Sequence, residues 1–262
     1  MALDLDTGSL LAGLETTHGQ LGRLLADLEA ASWALPVPAT PGWSVGDLVS
    51  HVAEGDRAAL AALGGTPSFD PASWTGIDDW TAAQVAAHAA ERPEERLAAW
   101  EAASDELRGA LAGLDEAGWR ARVLWVLGPV SARTVAQLRL QEAWLHGHDL
   151  AGAAGASWAL DPVTLGWIAD IAARVIPGGL SRRGQAKPGA VILLRLDGLG
   201  EWRLGGTAGE RPAPDATPDL VLEAEPLPFI LRAAGRRRDI PWHAAGDEAL
   251  AAAVAATIFS VG

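Results

Sequence analysis

The sequence contains no cysteine among its 262 residues. This absence excludes disulfide bonds, thiolate metal ligands and a cysteine nucleophile. A metal site in this protein therefore has to use histidine, aspartate or glutamate side chains. Tyrosine is absent as well, and Lys187 is the only lysine, so almost every positively charged side chain is an arginine.

Positive charge and long hydrophobic runs are also scarce. The chain has 20 basic and 33 acidic residues, which gives a net charge of −13. No basic run is long enough to bind a phosphate backbone against this excess of negative charge. The first residues include two aspartates where a signal peptide needs positive charge, and no apolar run reaches the roughly 18 residues of a membrane span. We therefore expect a cytoplasmic protein without nucleic acid or membrane partners.

Hydrophobic residues nevertheless make up 49% of the chain, which is enough for one large core or two modest ones. Leucines recur at helical spacing from Leu10 to Leu28 and predict the first helix. Ser44, with Asp47 three residues later, resembles a capping arrangement for a second helix that runs to about Leu63. Three more helices are predicted over Ile77 to Ala90, Glu94 to Leu114 and Ser131 to Ala154.

The pattern of the sequence changes after residue 155, where we place the boundary between a helical bundle (1–155) and a smaller α+β domain (156–262). In the second part, short apolar runs predict strands, and helical patterns flank them. The predicted strands cover Ala190 to Leu196, Glu201 to Leu204 and Asp219 to Glu223, with a short extended piece at Ile240 to His243. The predicted helices cover Pro162 to Ile176, Pro226 to Ala234 and Asp247 to Phe259. The chain is thus predicted to be mainly α, with a small sheet in its last part.

The most informative segment is Thr134 to Leu150, where Glu142 and His146 fall on the apolar face of a predicted helix. A buried carboxylate is costly unless it is paired, hydrogen-bonded or bound to a metal, so the two groups suggest joint use. They could hold a cation or form a charge-assisted hydrogen bond, and spacing alone leaves both open. His148 follows His146 by two residues and points roughly 200° away around the helix, so we assign it to the exterior.

His51 is the best placed third ligand. It lies at the edge of the apolar face of the second helix, and a bundle can bring it opposite Glu142 and His146. A histidine in such a position is also commonly a hydrogen-bonded core residue, and both interpretations stay open on spacing alone. If all three residues bind a cation, as the resemblance described next implies, they leave one position for water or substrate, which is the arrangement of a catalytic zinc site, and zinc is then the expected cation.

Three motifs carry a resemblance to a known family. The run PGWSVGDLVSH ends at His51, WVLGPVS spans Trp125 to Ser131, and EAWLHGHD spans Glu142 to Asp149. Together they resemble the mycothiol-dependent maleylpyruvate isomerase family. The resemblance covers about residues 5–155 and implies a DinB-like four-helix bundle, while the remainder is similar to the sterol-carrier-like α+β domain that follows it in many members.

The resemblance implies that His51, Glu142 and His146 bind a divalent metal and that mycothiol is the co-substrate. It also makes Arg236 the nearest equivalent of an arginine that meets substrate carboxylates, although an arginine triplet beside Asp239 is usually solvated surface. The implied chemistry is a cation that binds the sulfur of a small thiol and lowers its pKa, so that a thiolate adds to an electrophilic carbon. We therefore expect an isomerase or S-transferase acting on a small electrophilic molecule.

Other residues and functions compete with this interpretation. His18 and Trp125 are candidate contacts for the thiol cofactor, with core packing as the alternative for both. Asp149 either orients a ligand or lies at the surface. A metal-dependent hydrolase would need a general base, for which Glu54 is the nearby candidate, although we expect it to face water. A non-catalytic, metal-containing small-molecule binding protein of the same fold is the alternative to an enzyme, and we expect a monomer or homodimer.

Overall fold

The computed structural model describes residues 5–66, 75–125 and 128–257. These residues divide between two compact units. One unit comprises Asp6–Ala159, and the other comprises Leu5 together with the residues from Leu160 onward. The sequence predicts this boundary at residue 155, and each unit is described by itself below.

The first unit is a four-helix bundle with short additions. Its helices are α1 (Thr7–Ala26), α2 (Val45–Leu63), α3 (Ile77–Ala87), α4 (Pro93–Ala112), α5 (Glu116–Arg120) and α6 (Ala132–Ala154), with a short 3-10 helix at Ala30–Ala34. Helices α1, α4, α2 and α6 pack around the bundle in that order, and α6 closes the ring against α1, while α3 lies on α2. An antiparallel hairpin of β1 (Arg122–Trp125) and β2 (Gly128–Ser131) precedes α6.

Side-chain caps define where the two central helices begin. The hydroxyl of Ser44 accepts a hydrogen bond from the backbone N–H of Asp47 at 3.2 Å, and the Asp47 carboxylate accepts one from the N–H of Ser44 at 3.0 Å. The capping arrangement predicted for α2 is thus confirmed. Ser131 caps α6 in the same way by accepting from the N–H of Thr134 at 3.1 Å. Gly155, with φ of 68°, ends α6 in a left-handed conformation that favours glycine.

A leucine stripe fixes the rotation of α1 in the bundle. Leu10, Leu14, Leu21 and Leu25 are at most 1% exposed, and burial of a leucine is worth about 1.5–3 kcal/mol relative to leaving it exposed. Apolar residues of α2 and α6 are buried as well, among them Leu48, Val49, Val52, Ala59, Val135, Ala136, Leu140 and Ala143. This packing determines which polar side chains of α2 and α6 face each other.

The second unit is a small α+β domain. Its elements are α7 (Pro162–Arg182), β3 (Val191–Leu196), β4 (Gly200–Gly205), β5 (Leu220–Ala224), α8 (Pro226–Ala233), β6 (Trp242–Gly246) and α9 (Glu248–Thr257). The strands form one sheet in the order β4-β3-β5-β6, in which only β3 and β5 run parallel. The predicted fold class, mainly α with a four-helix bundle followed by a small α+β domain, is confirmed.

Some predicted boundaries of helices and strands differ from those in the structure. Helix α7 continues through Pro177, although a proline usually ends a helix, because Ile176 and Leu180 on either side of it are buried. The β1–β2 hairpin was not predicted, and the last strand lies a few residues later than the extended piece predicted at Ile240 to His243. Helix α9 is described to Thr257, and the predicted end at Phe259 lies outside the described residues.

Helix α7 also corrects the expectation about membrane spans. Within the described part of the chain, it is the one helix long and apolar enough to cross a membrane by length and composition. However, 78% of its apolar window is buried inside the protein. The core helix of a soluble protein has the same properties, so the length and hydropathy of α7 are explained by packing.

Candidate metal centre

The three candidate ligands meet between α2 and α6. Nε2 of His51 lies 3.4 Å and Nε2 of His146 lies 3.1 Å from the same oxygen, Oε2 of Glu142. One potential ligand atom from each residue lies within 4.8 Å of the other two, and the imidazole rings meet edge-on with their centroids 5.0 Å apart. Two imidazole nitrogens and a carboxylate oxygen that converge in this way fit the donor set of a divalent cation such as zinc.

The local fold explains this convergence. Glu142 and His146 are four residues apart on α6 and therefore lie one above the other on the same face. His51 is in the second turn of α2, which packs directly against α6. The side chains therefore approach from two helices that the core holds at a fixed rotation, and the protein can keep them close without a flexible loop.

Asp149 orients the His146 ring. Nδ1 of His146 donates to Oδ2 of Asp149 at 3.3 Å, and both side chains are buried. The bond to Asp149 keeps a proton on Nδ1, so Nε2, which faces Glu142 and His51, is the nitrogen that can bind a cation. Of the two roles left open for Asp149 by the sequence, the structure supports the orienting one.

Burial and hydrogen bonding together set the protonation of the three residues. Burial acts to raise the pKa of Glu142, but hydrogen bonds with His146 and His51 outweigh it and hold that pKa well below its usual range. Burial lowers the pKa of His51, and the neighbouring His146 adds to this effect. For His146, burial acts to lower the pKa, yet the hydrogen bonds to Asp149 and Glu142 raise it. Glu142 is thus a carboxylate and His51 a neutral imidazole near neutral pH, the forms that bind cations, whereas a cation at His146 has to displace the proton that Glu142 favours on Nε2.

The centre is accessible from one side. The side chains of His51 and Glu142 are 19% and 17% exposed, whereas that of His146 is 5% exposed. Trp43 lies beside His51, with ring centroids 5.1 Å apart. A small molecule can therefore approach past His51 and Glu142, while the side of His146 is closed by the core.

The two residues proposed to contact a thiol cofactor lie on α1 and on β1. His18 on α1 is 2% exposed and meets the ring of Trp100 edge-on at 6.0 Å, which is the packing of a core histidine. Trp125 is half-buried at the end of β1. Residues 126 and 127, which belong to the same sequence motif, lie outside the described residues. A cofactor contact of Trp125 stays a prediction.

His148 and Glu54 differ from the expectations for them. His148 is half-buried rather than exterior, because its ring stacks on Trp144 with centroids 5.7 Å apart, and it is not part of the ligand group. Glu54 does not face water, because it pairs with Nε2 of His88 at 2.9 Å and with Arg57. These contacts occupy the carboxylate that a hydrolase would use as a general base.

The arginine triplet belongs to the second unit, just after α8. Arg236 is half-buried, and its guanidinium donates to the carbonyl of Ala234 at 2.7 Å. Arg237 donates to Asp239 at 2.7 Å, and Arg238 is exposed. The three arginines therefore differ in their exposure and in their hydrogen-bond partners. The role of Arg236 toward a substrate stays a prediction.

A buried ion pair between Arg139 on α6 and Asp56 on α2 was not predicted from the sequence. Both residues had a detectable signal. Asp56 lies four residues after Val52 in the apolar stripe of α2, and Arg139 directly precedes Leu140 in the most apolar part of α6. A charged residue in such a stripe predicts a partner on a neighbouring helix.

Two known proteins are similar to this chain in sequence. Two uncharacterised proteins from strains of Mycobacterium tuberculosis are each 33% identical to this chain over 156 residues, which is 57% of this chain and 58% of theirs. The match thus spans little more than half the length of these relatives.

Two solved structures share the fold over nearly the whole chain. The crystal structure of a mycothiol-dependent maleylpyruvate isomerase has a TM-score of 0.66 and 21% sequence identity, and the match covers 92% of this chain and 94% of that one. A mutant of such an isomerase matches over the same shares with a TM-score of 0.64 and 21% identity. At this identity the likeness concerns the fold.

The family described as the mycothiol maleylpyruvate isomerase N-terminal domain matches residues 14–151. This segment is more than half of the chain, and it contains His51, Glu142 and His146. The chain therefore belongs to the mycothiol maleylpyruvate isomerase N-terminal domain family.

Proposed function

We propose that this protein is a metal-dependent, mycothiol-using isomerase or S-transferase that acts on a small electrophilic molecule. The observation that carries the proposal is the convergence of His51, Glu142 and His146 on one point that is accessible from one side. Membership of the family supports mycothiol as the thiol, since the solved structures of the same fold are mycothiol-dependent isomerases.

The residues at the centre have distinct tasks in this proposal. Glu142, His51 and His146 hold the cation, and Asp149 keeps Nε2 of His146 directed at it. A divalent cation held there, with zinc as the expected ion, supplies a Lewis acid that lowers the pKa of a thiol at its open position. The absence of cysteine means that the sulfur nucleophile has to come from outside the chain.

The thiol can serve either reaction class. In an isomerase, the thiolate sulfur adds to one carbon of a cis double bond, the resulting single bond rotates, and elimination of the thiolate gives the trans alkene. The thiol is then regenerated and is not consumed. In an S-transferase, the new carbon–sulfur bond remains and the adduct leaves as product.

Further parts of the proposal depend on the family resemblance. Arg236 is proposed to bind a carboxylate of the substrate, which Arg236→Lys would test by a rise in KM, with the exposed Arg238→Lys as the matched control. Trp125 is proposed to contact the thiol, and we place the protein in the cytoplasm. For His18 the packing favours a core role over a thiol contact.

The test is a titration of cobalt-substituted protein with mycothiol and with its S-methyl derivative. We expect mycothiol to change the visible spectrum of the bound cobalt and the S-methyl derivative to leave it unchanged, because only the free thiol can become a thiolate ligand. Maleylpyruvate and simple electrophiles, each with mycothiol, then separate isomerisation from transfer.

The outcome of the titration distinguishes an enzyme from a non-catalytic binding protein. A spectral change with no turnover of any electrophile favours the alternative, a non-catalytic metal-containing binding protein. If mycothiol neither changes the spectrum nor raises the thermal midpoint, the proposed use of a thiol is wrong. His51→Ala serves as the control, since its loss of cobalt removes any signal that arises at this centre.

A further inference from the structure

A buried ion pair joins α2 to α6 next to the candidate ligands. Nε of Arg139 donates to Oδ1 of Asp56 at 2.8 Å, and Nη2 of Arg139 donates to the backbone carbonyl of Val52 at 3.1 Å. The side chains of Arg139 and Asp56 are 3% and 0% exposed. Val52 directly follows His51, and Arg139 lies one helical turn before Glu142. The ion pair therefore connects the same two helices that carry the ligands.

Gly55 provides the space for this ion pair. A Cβ at position 55 would lie 2.6 Å from Cζ and from Nη2 of Arg139, well inside van der Waals contact. The guanidinium thus passes directly over the backbone of α2, which a larger residue would prevent. Arg139 is therefore hydrogen-bonded to Asp56 and to Val52, and it lies close to the backbone at Gly55.

The energetics suggest that this arrangement does more than stabilise the fold. A buried ion pair contributes little net stability compared with apolar residues of the same volume, because both charges lose their water. Its hydrogen bonds are directional, however, and they fix the position of one helix against the other more narrowly than apolar contacts do. Metal coordination needs helices held in such fixed positions, since ligand distances must be correct to about 0.2 Å.

We propose that Arg139 is a positioning residue for the metal centre. By binding Asp56 and the carbonyl of Val52, it sets the spacing between α2 and α6, and so keeps His51 within reach of the cation that Glu142 and His146 bind. This inference rests on the proposed function, because it presupposes that the three residues bind a metal.

A second buried arginine in the same bundle provides a matched control. Nη1 of Arg96 on α4 donates to Asp47 and to Ser50 on α2, both at 3.2 Å. Arg96 is 7% exposed, so its environment resembles that of Arg139. However, it joins α2 to a helix that carries none of the three ligands. Its loss should affect stability without changing the spacing between α2 and α6.

The experiment compares three variants with the wild type. Gly55→Ala keeps both charges but displaces the Arg139 guanidinium, Arg139→Met with Asp56→Leu replaces the pair by apolar residues, and Arg96→Met is the control. The measurements are zinc affinity by competition with a chelator, the visible spectrum of the cobalt-substituted protein, and the thermal midpoint of the metal-free protein. The last reports on the fold alone.

We expect Gly55→Ala and the double variant to raise the Kd for zinc about tenfold or more, the size found for residues that support metal ligands. Their cobalt spectra should also change, because the ligands no longer keep their spacing. The metal-free double variant should melt near the wild type, since apolar replacement of a buried pair is often neutral. Arg96→Met should lower the midpoint and leave the Kd and the spectrum unchanged.

Three results would overturn the positioning role. An unchanged Kd and cobalt spectrum in the folded double variant would do so and leave the proposed function standing. An equal loss of affinity in Arg96→Met would show that any weakening of the bundle has this effect. A wild type that binds no metal would overturn both proposals together. If the double variant does not fold, Gly55→Ala decides by the same two measurements.

Discussion

Nδ1 of His146 donates a hydrogen bond to Oδ2 of Asp149, which lies 3.3 Å away and almost one turn further along α6. This bond keeps a proton on Nδ1 and leaves Nε2 as the nitrogen that can bind a cation. Nε2 is also the nitrogen that lies 3.1 Å from Oε2 of Glu142. One helix therefore supplies two candidate ligands and the residue that orients one of them.

Asp149→Asn should weaken metal binding without abolishing it. The amide keeps the size of the side chain but not the negative charge that makes Nε2 of His146 a stronger donor, and we expect a loss of about tenfold in zinc affinity. Competition with a chelator measures this. The control is Asp105→Asn, which changes an exposed aspartate that pairs with Arg108 on α4. Equal zinc affinity in Asp149→Asn and wild type would refute the orienting role.

Metal binding should stabilise the folded protein by mass action. If the cation binds only the folded state, free metal at about 100 times its Kd raises the free energy of unfolding by about 2.7 kcal/mol. Removal of the metal with a chelator should therefore lower the thermal midpoint of the wild type, and added zinc should restore it. His146→Ala should respond to neither. A midpoint of His146→Ala that still rises with zinc would place the binding elsewhere.

His18 should make the protein less stable at acidic pH. Burial lowers the pKa of His18, with the nearby Asp56 opposing this effect and Arg108 and Arg139 adding to it, while Asp105 opposes it weakly. The unfolded state therefore takes up a proton first. The contribution of His18 to the free energy of unfolding is fully present above its pKa in the unfolded state, about 6.5. As the pH falls below that value, the contribution decreases by up to about 1.4 kcal/mol per pH unit, until the pH reaches the pKa of His18 in the folded state.

His18→Leu removes this titration and keeps a buried side chain of similar size. Denaturant unfolding from about pH 7.5 to about pH 5, a range that brackets the usual histidine pKa of about 6.5, measures the difference in the free energy of unfolding between the two proteins. We expect the wild type to lose stability relative to His18→Leu as the pH falls. Parallel pH profiles would show that His18 does not resist protonation in the folded state.

Local sequence patterns predicted much of the candidate centre. Glu142 and His146 are neighbours on one helix, so their spacing alone brings them together, whatever the rest of the fold does. The cap predicted at Ser44 likewise depends on a residue three positions away. His51 is different, because its approach to Glu142 depends on how α2 packs against α6. Its place at the edge of an apolar face left two interpretations open, and the family resemblance favoured the ligand.

The features that were missed depend on contacts between distant segments. Arg139 meets Asp56 across two helices, and Glu54 is held by His88 at the end of α3, so the residues nearby in sequence do not identify either partner. Helix α7 passes Pro177 for the same reason, since burial of its flanks outweighs the local preference of proline. Tertiary packing overrides local preference at these positions.

The most direct test of the account is the metal content of protein purified without a chelating tag. Elemental analysis should find one divalent cation per chain in the wild type. His51→Ala and His146→Ala should lose it, while His148→Ala, on the same helix as His146 but outside the ligand group, should retain it. A wild type without a divalent cation, or unchanged metal in both His51→Ala and His146→Ala, would contradict the proposed centre.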